Sequence, residues 1–181
     1  MKLLIASDIH GDFASAKHII EVYKSQACDK ILILGDILYH GPRNDLPAGY
    51  APKDVISLLN EYKASILAVR GNCDTEVDQM VLEFPILADY AILSLDGLTV
   101  YATHGHKYNP DNPPPLQPGD ILIHGHTHVL ASVGFGNGNT YLNPGSIAIP
   151  KGGNPPSYMI YEDRKFTTYS KDGGMISVTA F

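Results

Sequence analysis

Short apolar runs that each stop at a polar residue are the feature that most restricts the fold of this chain. The first run covers residues 2–7 and stops at Asp8, and the next covers residues 30–34 and is followed by Asp36. Both runs have the length and composition of buried strands. Between them, apolar residues recur at helical spacing, which predicts an amphipathic helix over residues 12–27. The opening part of the chain is therefore a βαβ unit of an α/β protein.

The rest of the chain changes from an α/β pattern to a strand-rich one. A second helix is predicted over residues 52–62, and Asp96-Gly97 is a turn dipeptide typical of a β-hairpin. Further strands are predicted at residues 65–69, 91–95, 98–102, 121–123, 132–135, 141–143, 157–161, 166–169 and 176–179. We expect two sheets packed face to face with helices outside, and two Pro- and Gly-containing loops, residues 39–52 and 108–119, that border a functional site.

Size and charge restrict the class of protein. A chain of 181 residues fits a single domain, residues 1–181, and a net charge of -6 without Lys or Arg clusters argues against a nucleic-acid partner. Asp8 and His10 interrupt the initial apolar run too early for a signal peptide, and we expect no membrane segment. Cys28 and Cys73 lack the spacing of a disulfide framework, so nothing indicates an oxidising compartment. We therefore expect a cytoplasmic protein. The chain has 11 tyrosines, and exposed ones could form a dimer face, so a homo-oligomer stays possible.

Polar side chains that can bind metal ions lie immediately beyond five of the predicted strands. The carboxyl ends of strands form the functional edge of open α/β sheets, so we expect these side chains to converge. Carboxylate, imidazole and amide groups suit divalent cations such as Mn, Fe, Zn or Ni, and the thiolates of a structural zinc site are missing. The seven residues are Asp8, His10, Asp36, Asn72, His104, His126 and His128.

Two of these pairs, Asp8 with His10 and His126 with His128, are separated by a single residue. If the backbone is extended there, the two side chains of each pair point to the same side, and each pair could hold one metal ion. The spacing of both pairs thus favours two metal-binding positions.

Each motif also has a simpler interpretation. Asp8 could cap the following helix, Gly35-Asp36 and Gly71-Asn72 could be ordinary turns, and His104 could be a hydrogen-bonded core histidine. The three histidines within residues 124–128 are harder to explain without metal, because protonated imidazoles so close together would repel one another. The occurrence of all these motifs in order, at strand ends, favours a binuclear metal site.

With these motifs the sequence resembles the calcineurin-like metallophosphoesterase superfamily. The matching segments are Asp8-x-His10, Gly35-Asp36, Gly71-Asn72, His104 and Gly125-His126-x-His128. The stretches GDILYHGPRNDLP, VRGNCD, NPGSIAIPKGGNP and THGH further resemble small bacterial phosphodiesterases of this superfamily. The resemblance implies an α/β fold, a four-layer α/β/β/α sandwich of two mixed sheets. It also implies hydrolysis of a small phosphodiester substrate by a hydroxide that bridges two divalent metal ions, commonly Mn.

The resemblance also implies a role for each ligand residue. Asp36 would bridge the two metal ions. Asp8, His10, Asp36 and His128 would hold one metal ion, and Asp36, Asn72, His104 and His126 would hold the other.

The sequence departs from the superfamily at the residue after Asn72. Many members have a histidine there, which acts as the general acid, whereas this chain has Cys73. A thiol with a pKa of about 8.5 is a poor hydrogen-bond donor, so Cys73 is a weak replacement or a small buried apolar residue. His106 could donate the proton instead or have a structural role. With no strong acid, we expect good leaving groups such as nitrophenolate to be favoured over alkoxides.

Three points stay open at the level of sequence. Arg43, in the first Pro- and Gly-containing loop, could bind the phosphate through two hydrogen bonds or be a solvated surface residue. The substrate could be a phosphomonoester instead of a diester. The chain could also be a scaffold that kept the fold and lost catalysis, although all seven ligand positions are filled.

Overall fold

Two mixed β-sheets face each other in the computed structural model, which describes all residues from 1 to 181. The strands are β1 (Leu3–Ala6), β2 (Lys30–Ile33), β3 (Ile66–Ala68), β4 (Tyr90–Leu95), β5 (Leu98–Thr103), β6 (Ile121–Ile123), β7 (Leu130–Phe135), β8 (Asn139–Pro144), β9 (Ser157–Glu162), β10 (Lys165–Ser170) and β11 (Met175–Ala180). The helices are α1 (Phe13–Ser25), α2 (Pro52–Glu61) and α3 (Glu76–Gln79). The first sheet has the strand order β11-β10-β9-β1-β2-β3, and the second has the order β4-β5-β6-β8-β7.

Strand β1 lies inside the first sheet and is covered on both faces. It pairs in parallel with β2 and antiparallel with β9. Leu4 and Ala6 belong to the core shared with α1 and α2, whereas Leu3 and Ile5 belong to the core between the sheets. A strand buried on both faces needs a continuous apolar run, which explains the start of the sequence. The predicted βαβ unit is confirmed.

Helix α1 packs on the outer side of the first sheet and begins directly after the β1 end loop. Its cap is Asp12, whose Oδ1 accepts a hydrogen bond from the Ser15 N–H at 2.7 Å. Asp12 Oδ2 also accepts from the Gly49 N–H at 3.1 Å, which attaches the following loop to the helix start. Asp8 is therefore free of the capping role that the sequence had left open for it.

The second sheet contains the predicted hairpin. Asp96 and Gly97 have φ angles of 50° and 82°, as the tight turn between β4 and β5 requires. On the outer face of this sheet, the Tyr101 hydroxyl donates to the Pro115 carbonyl oxygen at 3.3 Å. The Pro-rich loop thus contacts this face.

The α/β class with two mixed sheets and helices is confirmed, and most strand ends differ from the prediction by one or two residues. Helix α3 was not predicted from the sequence, because its four residues are too few to show helical periodicity. A bilayer crossing would need a helix longer and more apolar than any that this chain forms.

Candidate metal centre

The side chains beyond the ends of β1, β2, β3, β5 and β6 meet in one place and form two groups. In the first group, Asp8 Oδ1 lies 3.1 Å from His128 Nε2 and 3.6 Å from His10 Nε2. In the second group, His104 Nε2 lies 3.1 Å from Asn72 Oδ1 and 3.2 Å from His126 Nδ1. The structure therefore brings together residues that are up to 120 positions apart in sequence.

Asp36 lies between the two groups. Its Oδ2 is 3.7 Å from His10 Nε2 and 3.4 Å from His104 Nε2. Its Oδ1 accepts a hydrogen bond from the Cys73 N–H at 2.8 Å, which fixes the orientation of the carboxylate. A carboxylate in this position can contact a ligand of either group.

Three of the histidines are oriented by main-chain carbonyl oxygens. In His10, His104 and His128, Nδ1–H can donate to such an oxygen, which leaves Nε2 as an acceptor that faces the Asp8 or Asp36 carboxylate. In the same order, the oxygens belong to Tyr39, Leu34 and Ile149, at 2.8, 2.6 and 2.7 Å. This arrangement is typical of metal-binding histidines, whose second nitrogen is held by the protein.

In this geometry, hydrogen-bond acceptors face other hydrogen-bond acceptors. His10 Nε2 and His128 Nε2 are 3.2 Å apart, and the buried Asp8 Oδ1 has no hydrogen-bond partner. Lone pairs that face each other repel, and an unpaired buried carboxylate oxygen is costly. A divalent cation would satisfy these acceptors together, so the residues fit a metal site.

In the metal-free chain, a proton on His104 compensates part of the negative charge of Asp8 and Asp36. Burial opposes a charge on His104, but its contact with Asp36 and the negative charge of Asp8 outweigh burial and raise the pKa of His104 to about 9. A proton on His104 thus occupies the place that a cation would otherwise take.

The backbone at the ligand residues is not extended. Five of the seven have a positive φ: Asp8 57°, His10 49°, Asp36 54°, His126 66° and His128 61°. The prediction of extended segments at both one-residue-spaced pairs is therefore wrong. The turn also separates the last two histidines, so that His128 contacts Asp8 while His126 contacts His104. Such left-handed conformations are strained for residues with a side chain.

Two glycines allow the ligand loops to approach each other. A Cβ atom at Gly71 would overlap the Asp36 carboxylate, and one at Gly125 would overlap Ser7 and the Asp8 carboxylate. Only a residue without a side chain leaves room for these carboxylates.

Asp74 is a positioning residue that the sequence analysis missed. Its buried carboxylate accepts hydrogen bonds from the N–H groups of Asp36, Ile37 and Gly71 at 2.8, 2.9 and 2.7 Å. Burial raises the pKa of Asp74 to about 6, although these hydrogen bonds act in the opposite direction. The residue connects the loop after β2 to the loop after β3. The residue closes the VRGNCD stretch, which carried the resemblance but gave Asp74 no assigned role.

Asn143 and Ser146 hold the other ligand loops and were also missed. The Asn143 Nδ2 group donates to the Gly125 carbonyl oxygen at 2.9 Å, and its Oδ1 accepts from the Gly145 N–H at 2.8 Å. The Ser146 hydroxyl donates to the Asp8 carbonyl oxygen at 2.8 Å. Both residues lie in the NPGS stretch, which carried the resemblance but had no assigned role.

The ligand groups open into a cleft of about 310 Å³. Arg43 and Lys151 line it, and neither side chain has an ion-pair or hydrogen-bond partner. The loop over residues 39–52 borders the cleft as predicted, whereas the loop over residues 108–119 contributes no residue to it. Two free cations therefore face the cleft in a protein whose net charge is -6.

Residues 1–165 match the family model of the calcineurin-like phosphoesterase superfamily domain. The chain belongs to this superfamily. It is 48% identical over 158 residues to phosphodiesterase YfcE of Escherichia coli strain K12, a match that covers 87% of this chain and 85% of the relative. A solved structure of the E. coli phosphoesterase Yfce matches with a TM-score of 0.96 and 44% identity over 99% of both chains. This membership identifies the chain as a phosphoesterase.

Distant relatives share the fold alone. Vps29 of Entamoeba histolytica, solved in complex with Zn²⁺, matches with a TM-score of 0.58 and 22% identity over 99% of this chain and 96% of that chain. Identity at this level carries no conclusion about activity.

The two residues considered as general acids lie differently in this phosphoesterase. Cys73 lines the cleft, but burial and the nearby Asp36 raise the pKa of its thiol far above the usual range. His106 does not line the cleft; its ring lies 5.4 Å from the His104 ring, and burial with the nearby histidines lowers its pKa to about 4. A thiol that keeps its proton so firmly is a weak acid, and a histidine with this pKa is neutral at pH 7.

Proposed function

We propose that the chain is a phosphodiesterase that holds two divalent metal ions and hydrolyses a small phosphodiester. The proposal rests on the two groups of side chains on either side of Asp36. In each group, histidine nitrogens face other hydrogen-bond acceptors. The name of the 48% identical relative supports a diester substrate. Filled ligand positions argue against a scaffold without catalysis.

The ligand sets follow the two groups in the structure. Asp8, His10, Asp36 and His128 would hold one ion, and Asp36, Asn72, His104 and His126 the other. The donors combine imidazoles with carboxylate and amide oxygens and include no coordinating thiolate, a set that suits Mn. When bound, the ions supply positive charge for the phosphate oxygens and lower the pKa of water.

The residues of the chain itself bind and orient the substrate. Arg43 can donate two hydrogen bonds to one phosphate face, and the Lys151 ammonium can neutralise a further oxygen. Asp36 is held by the Cys73 N–H, so its carboxylate does not reorient when the substrate enters. The Cys73 thiol keeps its proton too firmly to be an effective general acid at neutral pH, and His106 is neutral there. The leaving oxygen therefore departs without a proton from the protein, which favours esters of acidic alcohols such as nitrophenol.

A metal-supplemented assay tests the function. Purified protein is stripped with chelator, reloaded with Mn, Zn, Mg or Ni, and assayed with bis(p-nitrophenyl) phosphate and p-nitrophenyl phosphate, with elemental analysis of each sample. We expect Mn-dependent hydrolysis that prefers the diester, and loss of activity in His104→Ala but not in His18→Ala, which lies outside the cleft. A preference for the monoester would contradict the diester assignment. No hydrolysis with any metal would contradict catalysis.

The two free cations of the cleft are tested by truncation. Arg43→Ala and Lys151→Ala should each raise KM for bis(p-nitrophenyl) phosphate by about 10- to 150-fold, because each removes a charged hydrogen bond worth roughly 1.5–3 kcal/mol. Lys165→Ala removes a surface lysine outside the cleft and serves as the control. An unchanged KM and kcat in Arg43→Ala would leave this residue as a solvated surface arginine.

We further propose a single domain over residues 1–181 that acts in the cytoplasm, where the two free, buried cysteines would stay reduced. We propose no nucleic-acid partner, on the grounds of the acidic net charge. Association of the chain with copies of itself is tested by sedimentation of the metal-loaded protein.

A further inference from the structure

A second, apolar groove lies beside the metal-binding cleft. Its volume is about 400 Å³, and Tyr39, Tyr50, Ile56 and Val81 are among the residues that line it. Cys73 lines both the groove and the cleft, so the two spaces meet at the residue that follows Asn72. The groove is thus adjacent to the proposed phosphate site and differs from it in chemistry.

The walls of the groove are accessible and aromatic. Tyr39 and Val81 are each 43% exposed. The rings of Tyr39 and Tyr50 both make edge contacts with the ring of His40, with centroids 4.7 and 5.4 Å apart. The Tyr39 carbonyl oxygen also accepts from His10 Nδ1 at 2.8 Å, so one residue forms part of the groove wall and orients a ligand histidine. The position of the groove is therefore fixed relative to the metal centre.

We propose that this groove binds an aromatic arm of the phosphodiester substrate while the phosphate lies in the cleft, an inference that rests on the proposed function. Exposed tyrosine rings and aliphatic side chains favour a planar, apolar group such as an aryl ring or a nucleobase over a sugar or a carboxylate. Arg43 and Lys151 hold the charged centre at one end, and the groove holds the uncharged ring at the other.

The volume of the groove is that of a small-molecule site. Ligand sites are typically about 300–1,000 Å³. The groove, at about 400 Å³, falls in this range. An arm joined to a phosphate in the cleft also gains from being held at two places, which an unconnected protein side chain would not.

Isothermal titration calorimetry on the metal-loaded protein tests the inference without turnover of a diester. Methyl phosphate and phenyl phosphate carry the same charge and differ in the arm alone. We expect phenyl phosphate to bind about 10-fold more tightly, since the ring loses contact with water in the groove. In Tyr39→Ala and in Val81→Ser this ratio should fall to about threefold or less. Tyr90→Ala, which removes a tyrosine of similar exposure outside both spaces, should keep the ratio.

The outcomes separate this inference from the proposed function. Equal affinities for the two phosphates, or a ratio that survives both groove variants, would overturn the groove as a substrate site even if bis(p-nitrophenyl) phosphate is hydrolysed. A variant that changes the sedimenting mass of the protein and not the ratio would show a protein interface instead. Selective binding of phenyl phosphate without any diester hydrolysis would contradict the proposed function and still support the groove as an aryl-binding site.

Discussion

Replacing Asn143 by alanine should loosen the two loops that carry His126, His128 and Asp8. The side chain is fully buried, and its Nδ2 group lies within hydrogen-bond distance of the Thr127 and Tyr141 hydroxyl oxygens. Its main-chain partners are the Gly125 carbonyl and the Gly145 N–H. Each buried group left without a partner costs about 1–3 kcal/mol. The two together predict a loss of about 2–6 kcal/mol in the free energy of unfolding. For a chain of this size, each kcal/mol lowers Tm by about 2–4 °C.

The same change should lower kcat independently of stability. A shift of about 1 Å in a catalytic group can reduce the rate by about 100-fold, so kcat for bis(p-nitrophenyl) phosphate should fall by about 10- to 100-fold at temperatures well below Tm. Asn139→Ala is the matched control, because Asn139 lies at the other end of β8 and its Oδ1 accepts from the Gly119 N–H at 2.9 Å. It should lower Tm by less and keep kcat.

Thermal denaturation and steady-state kinetics on both metal-loaded variants decide the matter. If both asparagine variants lower Tm by the same amount and both keep the kcat of the unsubstituted chain, the positioning role of Asn143 is refuted. A loss of Tm in Asn143→Ala with unchanged kcat would reduce the residue to a structural one.

Three further results follow from the site. Cys73→Ala should change kcat for bis(p-nitrophenyl) phosphate by less than about threefold, since the thiol is a weak donor, and a 100-fold loss would identify it as an acid. His104, with a pKa of about 9, must lose its proton to bind metal. Mn binding should therefore release about one proton at pH 7, and the affinity for Mn should rise with pH up to about 9. Calorimetry in buffers of different ionisation enthalpy measures the released proton. No proton release would contradict this. Gly125→Ala should abolish Mn binding, because its Cβ would overlap Ser7 and the Asp8 carboxylate; normal Mn content on elemental analysis would disprove the overlap.

The fold was predictable where the pattern is local. The buried run of β1, the helical spacing of α1 and the Asp96-Gly97 turn each produce the structure that their own residues favour. The four residues of α3 were not predictable in this way, because a single turn has no period. The contact of the loop over residues 108–119 with the second sheet, between Tyr101 and Pro115, joins separate segments, and periodicity does not report such contacts.

The site was predictable as a set of residues but not in its geometry. Side chains beyond strand ends were expected to converge, and they do. The left-handed backbone at His126 and His128 was not foreseen, because a one-residue spacing has the same appearance in a strand and in a turn. Asp74 and Asn143 were missed because each binds a main-chain group of a distant loop, and sequence patterns record side chains alone.

The five strained ligand positions bear on any attempt to make this protein more robust. A stability-guided redesign would replace non-glycine residues at positive φ by glycine or asparagine, and Asp8, His10, Asp36, His126 and His128 would be among the first positions chosen. Such a redesign would relieve backbone strain and remove the metal-binding groups one after another, and a glycine at Asp8 or Asp36 would also leave the His126 or Cys73 N–H group without its acceptor. Redesign guided by backbone strain alone would therefore select against catalysis in this protein, and each round needs a count of bound metal beside its melting curve.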